Sequence, residues 1–452
     1  MTRSSLKIDR AQYLVTVDDR RRVIRDGSVV VRDGYISHVG KAGDLRHVGA
    51  DRVIDATGMV VTPGFVNGHM HISYAHSVRG VFPDDVPDRL RHVFAMQSVM
   101  TESEEYLTTL LGLAETLGTG TTTLVDPGTT KFPEACLEAY EQAGCRVIVG
   151  EQVQDRENGL HLPVYNTAEA LGRLEASINA LDGRLSGRVR AWAMPFSLEF
   201  CSPELLIGAK RIADRYGTAL TLHHFGGARS PRPEPTQRLA ELGVLGPNVL
   251  LSHCMDLSER EIELIAGSGA GVVVCPSTVM KAGGNTGRGG RLPELLDAGV
   301  PVSLGTDSVN SSNFSDMVRC MNITATVYKD VRGDRSMISA ETALELATRT
   351  GAAALGFADT LGAIEVGRKG DLVLFDTRRP EWRALVDPVR NLVYSATGDS
   401  VDTVIVEGSV VVEAGRPRFA GDLWELIQQV ERIGERVRAV TGVGFPSRWQ
   451  II

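Results

Sequence analysis

The stretch Val60-Val61-Thr62-Pro63-Gly64-Phe65-Val66-Asn67-Gly68-His69-Met70-His71 decides how this chain folds. Its apolar first part, Val60–Val66, is typical of a buried strand, and two histidines follow directly. Alternate side chains of a strand share one face, so His69 and His71 point the same way. Two imidazoles at that spacing can bind one divalent ion at about 2.0–2.1 Å. The alternative is a pair of unconnected buried histidines satisfied by local hydrogen bonds. The rest of the sequence decides between these two interpretations.

Composition predicts a soluble intracellular globular protein. The 452 residues, 43% of them hydrophobic, are enough for one large domain and a smaller one. A net charge of −8 argues against a nucleic-acid partner. The N-terminus lacks the apolar core of a signal peptide, and no apolar run approaches the roughly 18 residues of a membrane helix. The six cysteines have no C-x-x-C spacing, which suits free thiols in the cytoplasm.

Strand-length apolar runs alternate with helix-like segments between residues 60 and 362. Together with Val60–Val66, the candidate strands are Thr122–Val125, Arg146–Val149, Val189–Met194, Ala219–His223, Val249–His253, Gly271–Val274 and Val302–Thr306. Eight strands that alternate with helices over about 300 residues predict an α/β fold, a TIM-type (β/α)8 barrel. We therefore assign residues 60–362 to a barrel domain.

Both ends of the chain are β-rich. Short strands such as Tyr13–Val17 and Ser28–Val31 occur before residue 59, and Asp371–Phe375 and Ser409–Glu413 occur after residue 363. The simplest arrangement joins residues 1–59 and 363–452 in one small composite β-sandwich domain beside the barrel.

Metal-ligand residue types recur where the predicted strands end. His69 and His71 follow the first strand, and three further residues end or follow later strands, namely His223, His253 and Asp307. In a barrel of this type, functional side chains lie at the C-terminal ends of strands. The chain has only ten histidines, so four at such positions indicate a metal site rather than separate core histidines or a helix-capping aspartate.

Five segments resemble the amidohydrolase superfamily, in the branch that holds cytosine, guanine and adenosylhomocysteine deaminases and the triazine chlorohydrolases. They cover nearly the whole chain and are Pro63–His71, Gly118–Thr123 with Asp126, Leu251–Cys254, Gly305–Ser308 and Gly362–Val373. The resemblance implies one metal held by His69, His71, His223 and Asp307, with His253 beside a bound water. It also suggests a homo-oligomer.

The implied ligand set has a direct chemical rationale. A divalent ion lowers the pKa of its water from 15.7 to about 7. Asp307 can then accept the proton of that water as general base, and His253 can polarise the carbon under attack. Three histidines and one aspartate suit zinc best, although iron, cobalt and manganese accept the same set.

The chain departs from the deaminase-like members at two positions. They carry a glutamate three residues after the strand-five histidine, whereas Gly226 stands at that place here. Their heterocycle-binding histidine after the fourth strand is replaced by Phe196. Since deamination of a ring amidine needs a proton carrier, we expect hydrolysis of a urea, carbamate, thiocarbamate or amide, as in the phenylurea and molinate hydrolases. Phe196, Leu198 and Phe200 would then form an apolar wall of the pocket.

Two other functions stay open. One is an aminohydrolase or chlorohydrolase acting on a nitrogen heterocycle such as a triazine or purine, with His224, Glu199 or water in place of the glutamate. The other is a non-catalytic relative that uses the barrel as a binding scaffold. Asn310 and Asn313 could contact substrate or cap the helix that follows them.

Overall fold

This computed structural model describes residues 5–224 and 234–450, which form nineteen strands. In chain order the strands are β1 (Leu6–Val15), β2 (Val23–Arg32), β3 (Tyr35–Lys41), β4 (Arg52–Asp55), β5 (Met59–Pro63), β6 (Phe65–Asn67), β7 (Thr121–Val125), β8 (Arg146–Val149), β9 (Gln152–Val153), β10 (Val189–Ala191), β11 (Met194–Pro195), β12 (Leu220–His224), β13 (Val249–His253), β14 (Gly271–Val274), β15 (Val302–Leu304), β16 (Leu372–Asp376), β17 (Val401–Val406), β18 (Ser409–Glu413) and β19 (Arg416–Pro417).

Helices fill most of the connections between these strands. They are α1 (Arg89–Ser98), α2 (Glu102–Gly118), α3 (Pro133–Ala143), α4 (Thr167–Leu181), α5 (Arg184–Gly187), α6 (Pro203–Tyr216), α7 (Pro235–Glu241), α8 (Glu259–Ser268), α9 (Pro276–Lys281), α10 (Thr286–Gly289), α11 (Leu292–Asp297), α12 (Met317–Arg332), α13 (Ala340–Leu346), α14 (Arg349–Ala354), α15 (Pro388–Tyr394) and α16 (Leu423–Thr441). Capping boxes at Thr101 and Ser258 begin α2 and α8. Within the described ranges, no helix has both the length and the apolar character needed to cross a membrane.

The parallel strands close into the (β/α)8 barrel that the sequence predicts. The strands β6, β7, β8 and β10 pair in that order, and β12 to β15 pair in sequence. Ala193 bridges to Leu220 and so joins the two halves on one side. On the other side, Gly68 N–H donates to Leu304 O at 2.8 Å. The C-terminal ends of all the barrel strands therefore share one rim.

Strands from both ends of the chain form the second, β-rich layer. Its nine strands run in the order β19-β18-β17-β16-β5-β1-β2-β3, and β4 pairs with β1. The two ends of the chain meet where β16 pairs antiparallel with β5. Fully buried aliphatic side chains, among them Ile8, Leu14, Val61 and Leu374, form its own core.

The predicted single strand Val60–Val66 is wrong, because the structure divides it at Gly64. Met59–Pro63 belongs to the composite sheet, whereas Phe65–Asn67 begins the barrel. A Cβ atom on Gly64 would collide with the Thr122 side chain, so glycine lets the chain pass close to β7 where it changes sheets. The predicted boundary at residue 60 falls inside β5, and the division into domains stays a prediction.

A buried ionic cluster joins the barrel to the composite sheet. Arg146 of β8 lies 2.9 Å from Glu407 Oε1 and 3.5 Å from Asp371 Oδ1, and Lys369 Nζ lies 3.1 Å from the same Glu407 oxygen. Burial alone would raise the pKa of Glu407, but Arg146 and Lys369 lower it. We call these four residues the junction cluster.

Candidate metal centre

The barrel brings the five predicted residues to one rim. His69 and His71 follow β6, His223 is the penultimate residue of β12, and His253 ends β13. Asp307 comes three residues after β15. Each therefore lies at the C-terminal end of a parallel strand, where barrel enzymes carry their functional groups.

The first and last barrel strands are tied together beside the centre. Asn67 Oδ1 accepts from the Thr306 backbone N–H at 3.1 Å, and Asn67 Nδ2 donates to Thr306 Oγ1 at 2.8 Å. The Asp307 N–H donates to the His69 carbonyl at 2.9 Å. A Cβ atom on Gly305 would stand 3.0 Å from His69 Cβ, so the glycine permits this close approach. These contacts fix the relative positions of His69 and Asp307.

The potential ligand atoms lie within a few ångströms of one another. His71 Nε2 and His223 Nε2 are 3.3 Å apart, and Asp307 Oδ1 is 3.9 Å from Nε2 of both His69 and His71. The His69 and His253 rings are 4.9 Å apart between centroids. Two nitrogens that bind one tetrahedral ion at about 2.0–2.1 Å are about 3.3–3.4 Å apart, so this spacing fits a shared ion. We call His69, His71, His223 and Asp307 the histidine cluster.

Burial keeps the imidazoles in the form that binds metals. Desolvation lowers the pKa of His69 and His223 well below the ordinary value, and neighbouring histidines lower it further. Desolvation also lowers the pKa of His71 to about 4. Within the described part of the chain, both ring nitrogens of His69 are buried without a hydrogen-bond partner. Neutral imidazoles with unused lone pairs are the donor set that a divalent ion needs.

Neighbouring groups orient the cluster. His71 Nδ1 and Thr129 Oγ1 are 2.8 Å apart, which directs His71 Nε2 towards the centre. The Ser308 backbone N–H donates to Asp307 Oδ1 at 2.5 Å. His253 has φ of 79° and Asp307 has φ of 58°, values that non-glycine residues adopt rarely and that concentrate at functional sites.

A cavity of about 160 Å³ opens directly on the cluster. Apolar side chains from α1 and the barrel rim line part of it, including Val93, Phe94, Phe196 and Val279. The polar part comprises Tyr74, Thr278, Ser308, Asn310 and Ser311. Arg89 and Leu90 also line a neighbouring cavity of about 760 Å³, which places an outer chamber next to the inner one.

The predicted apolar wall is partly wrong. Phe196 lines the cavity, with its ring 5.1 Å from the His223 ring. Leu198 and Phe200 are not among the described residues that line it, and Leu198 is buried in the main core instead. Phe200 packs on Phe196 from behind, with ring centroids 5.0 Å apart. Alternation along a short segment could not show which aromatic residue faces the cavity.

The candidates for the missing proton carrier are placed differently. Gly226 lies outside the described residues. His224 borders the cavity, but its Nε2 is 2.8 Å from Thr236 Oγ1 of α7, and burial lowers its pKa to about 4. Glu199 belongs to none of the clusters of potential metal ligands within the described residues. Asp307 is the only carboxylate among the described residues that line the cavity.

Several residues in and beside the cavity were not predicted from the sequence. The segment α1 supplies Val93 and Phe94, and Tyr74 stands three residues after His71. Cys275, the residue after β14, has its sulfur within 4.8 Å of potential ligand atoms of His253 and Asp307. Burial raises the pKa of the Cys275 thiol, and Asp307 raises it further. Position directly after a strand end was the available signal for Cys275.

Comparison with known proteins agrees with this geometry. The model of the amidohydrolase family matches residues 60–411. A 5-methylthioadenosine/S-adenosylhomocysteine deaminase from Syntrophobacter fumaroxidans is 32% identical over 441 residues, covering 94% of this chain and 95% of that protein. The deaminase of the same name from Moorella thermoacetica is 32% identical and covers 91% of this chain and 95% of its own length.

Solved structures show the same fold over nearly the full length. A zinc-bound adenosine deaminase from Xanthomonas campestris superposes with a TM-score of 0.87 at 27% identity, covering 96% of this chain and 98% of that one. An atrazine chlorohydrolase from Arthrobacter aurescens complexed with zinc has a TM-score of 0.83 at 23% identity, covering 95% of this chain and 100% of that one.

The fold and the rim of strand-end ligand residues define a barrel hydrolase. This chain belongs to the amidohydrolase family, and it is a hydrolase that acts on carbon–nitrogen bonds. The relatives support an aminohydrolase better than the expected hydrolysis of ureas or thiocarbamates. Membership of a hydrolase family also removes the support for a non-catalytic scaffold.

Proposed function

We propose that this protein is a metal-dependent aminohydrolase that releases ammonia from an amino-substituted nitrogen heterocycle of the purine type. The observation that carries the proposal is the 32% identity over 441 residues with a protein named as a methylthioadenosine/adenosylhomocysteine deaminase. The intact histidine cluster and the adjoining cavity, in which Phe94 and Phe196 offer flat apolar faces, support it.

We further propose that His69, His71, His223 and Asp307 hold one divalent ion. The 3.3 Å separation of the His71 and His223 nitrogens supports this set, as do the nitrogens of His69, which have no partner among the described residues. Three nitrogens and one carboxylate favour zinc, which the Xanthomonas structure also holds. When bound, the ion would supply a water of lowered pKa.

The remaining catalytic roles would then fall to side chains of this protein. Asp307, the carboxylate of the cluster, accepts a proton from the attacking water and passes it to the amino group that leaves as ammonia. His253, whose ring lies 4.9 Å from that of His69, polarises the carbon under attack. Desolvation raises the pKa of Tyr74, and Asp307 raises it further, so the phenol at the cavity wall keeps its proton and can donate a hydrogen bond.

A second candidate is hydrolysis of a urea or carbamate, and one observation favours it. Asp307 is the only carboxylate lining the described part of the cavity, so no second acid is seen there to protonate a ring nitrogen. A urea has an exposed carbonyl and an amine leaving group, to which Asp307 itself could return the proton.

A substrate panel on metal-loaded enzyme separates the two. The panel holds 5′-methylthioadenosine, adenosine, an aminotriazine, an N-phenylurea and a thiocarbamate, and the product is identified as ammonia, arylamine or thiol. The proposal expects ammonia from an aminopurine. Arylamine from the urea, with no ammonia from any heterocycle, would replace it by the second candidate.

The partners and compartment stay predictions. We propose a homo-oligomer of the cytoplasm with a small-molecule substrate. The six free cysteines are all buried, which supports a reducing compartment.

A further inference from the structure

One amide group in the cavity is buried and incompletely bonded. Asn310 is 2% exposed, and its Oδ1 accepts from Ser308 Oγ at 2.7 Å and from Ser311 Oγ at 3.2 Å. These two bonds set the orientation of the amide, so that Nδ2 is its free end. Within the described part of the chain, Asn310 Nδ2 has no hydrogen-bond partner. Asn310 is one of the residues that line the cavity beside the histidine cluster.

A second polar group of the same cavity shares this property. Thr278 of α9 is buried, and its Oγ1 has no partner among the described residues. It follows β14 by four residues, and β14 pairs with β15, the strand that precedes Asn310. The segments that follow two adjacent barrel strands therefore each contribute to one small cavity a residue whose buried polar atom has no partner among the described residues.

A buried polar group without a hydrogen-bond partner is unfavourable, and folded proteins pair nearly all such groups. Capping does not account for Asn310, because Asp316 caps α12 through the Val318 and Arg319 N–H groups. Asn313, in contrast to Asn310, does not line the cavity, and its side chain accepts a hydrogen bond from Lys281. A bound molecule that offers an acceptor atom would complete the bonding of Asn310.

We propose that Asn310 determines substrate specificity by donating a hydrogen bond from Nδ2 to an acceptor atom of the substrate, with Thr278 Oγ1 as a second contact. This rests on the proposed aminohydrolase function, for which the acceptor is an unprotonated ring nitrogen of the heterocycle. The cavity then selects planar heterocycles in which that nitrogen is present and rejects analogues that carry C–H at the same position.

The test is a thermodynamic cycle that combines substitutions in the protein with atom replacements in the substrate. Kinetics of 5′-methylthioadenosine are measured for wild type, Asn310→Ala and Thr278→Val, together with inhibition by its 1-, 3- and 7-deaza analogues. We expect KM to rise about tenfold in Asn310→Ala, since one hydrogen bond is lost, while the metal content stays at the wild-type level. One deaza analogue should bind wild type about tenfold more weakly than the parent and lose nothing further in Asn310→Ala.

Two variants serve as matched controls. Ser277→Ala removes a buried hydroxyl next to Thr278 that has no partner among the described residues, and Ser277 does not line the cavity. Asn322→Ala removes an amide on α12 that is bonded to Val393 O. Asn310→Asp is a further variant that keeps an acceptor for both serine hydroxyls but replaces the amide donor by a buried negative charge, so KM for a substrate that presents an acceptor atom should rise at least as much as in Asn310→Ala.

The possible failures are distinguishable. If the enzyme releases arylamine from ureas and no ammonia, the proposed function fails, and the same variants are compared with the urea carbonyl as acceptor. If no compound is turned over, the comparison uses the Kd of 5′-methylthioadenosine from calorimetry. Asn310→Ala behaving like Asn322→Ala on every compound overturns the role of Asn310, whatever the substrate is.

Discussion

The junction cluster and the histidine cluster are both buried, but they are neutralised in different ways. In the junction cluster, Arg146 and Lys369 face Asp371 and Glu407, so opposite charges compensate one another. In the histidine cluster, burial lowers the pKa values of the imidazoles, and both nitrogens of His69 lack a partner in the described structure.

The difference is the one expected between a structural cluster and the proposed ligand-binding cluster. A buried ion pair takes its counter-charges from within the chain. A group of neutral donors around one aspartate is completed only by a cation from outside. Removal of one residue should therefore cost metal and activity in the histidine cluster but folding stability in the junction cluster.

The largest effect is expected from His69→Ala. Loss of a ligand should remove the bound metal and lower kcat/KM by at least about a thousandfold, because the acidified water is lost. The free energy of unfolding of the metal-free protein should change little by comparison. Metal analysis, turnover and denaturant unfolding check this, with the exposed His47→Ala as control. Full activity in His69→Ala would refute the assignment of the cluster.

The opposite pattern is expected from Arg146→Met. It leaves Asp371 and Glu407 with Lys369 as their remaining cation, which should lower the free energy of unfolding by about 3–5 kcal/mol. Metal content should stay at the wild-type level. Arg260→Met is the control, because Arg260 pairs with Glu263 on an exposed face and should have little effect. A loss of metal without a loss of stability would contradict the comparison.

Asp126 is a third case, a buried acid neutralised by a proton. Burial raises its pKa to about 7, although Tyr140 donates a hydrogen bond to it at 3.0 Å. The folded state therefore holds a proton that the unfolded state has released between about pH 4 and 7, so this contribution to stability is lost as pH rises through that window.

The matching variant is Asp126→Asn, which cannot ionise. Its free energy of unfolding relative to wild type should improve by about 2–4 kcal/mol between pH 4 and pH 7. Urea unfolding at several pH values measures this, and the exposed Asp297→Asn controls for removal of a charge. If the difference in free energy of unfolding between Asp126→Asn and wild type were the same from pH 4 to pH 7, Asp126 would not be protonated in the folded state.

The smallest effect is expected from Thr129→Val, which removes the partner of His71 Nδ1. Loss of such an orienting contact should weaken metal affinity by about 10–100-fold, and stability should change little. Competition with a chelator measures the affinity. Thr108→Val is the control, because Thr108 is buried on α2 and its hydroxyl has no partner among the described residues. Equal affinities in the two variants would argue against an orienting role for Thr129.

The barrel and the convergence of the strand-end histidines and Asp307 could be predicted because their signals are local. Runs such as Val249–His253 and Gly271–Val274 coincide with β13 and β14, and strand length and apolarity specify them without distant contacts. The division at Gly64 could not be predicted, because it depends on how closely Thr122 approaches from another strand.

The cavity wall was harder to predict than the metal centre. Val93 and Phe94 of α1 look like ordinary core residues in the sequence, and only the packing of that helix over the rim brings them to the cavity. Leu198 and Phe196 are two residues apart in the sequence. Phe196 lines the cavity, whereas Leu198 does not.

The sequence by itself determined the family, the barrel and the residues that converge at its rim, because parallel strands place whatever follows them at a common edge. The tertiary structure decided that the imidazoles lie in one neutral, desolvated group, and that Asn310, a residue of the adjoining cavity, has an amide donor without a partner among the described residues. Burial and the pairing of polar groups depend on neighbours far apart in the chain, so no local pattern contains them.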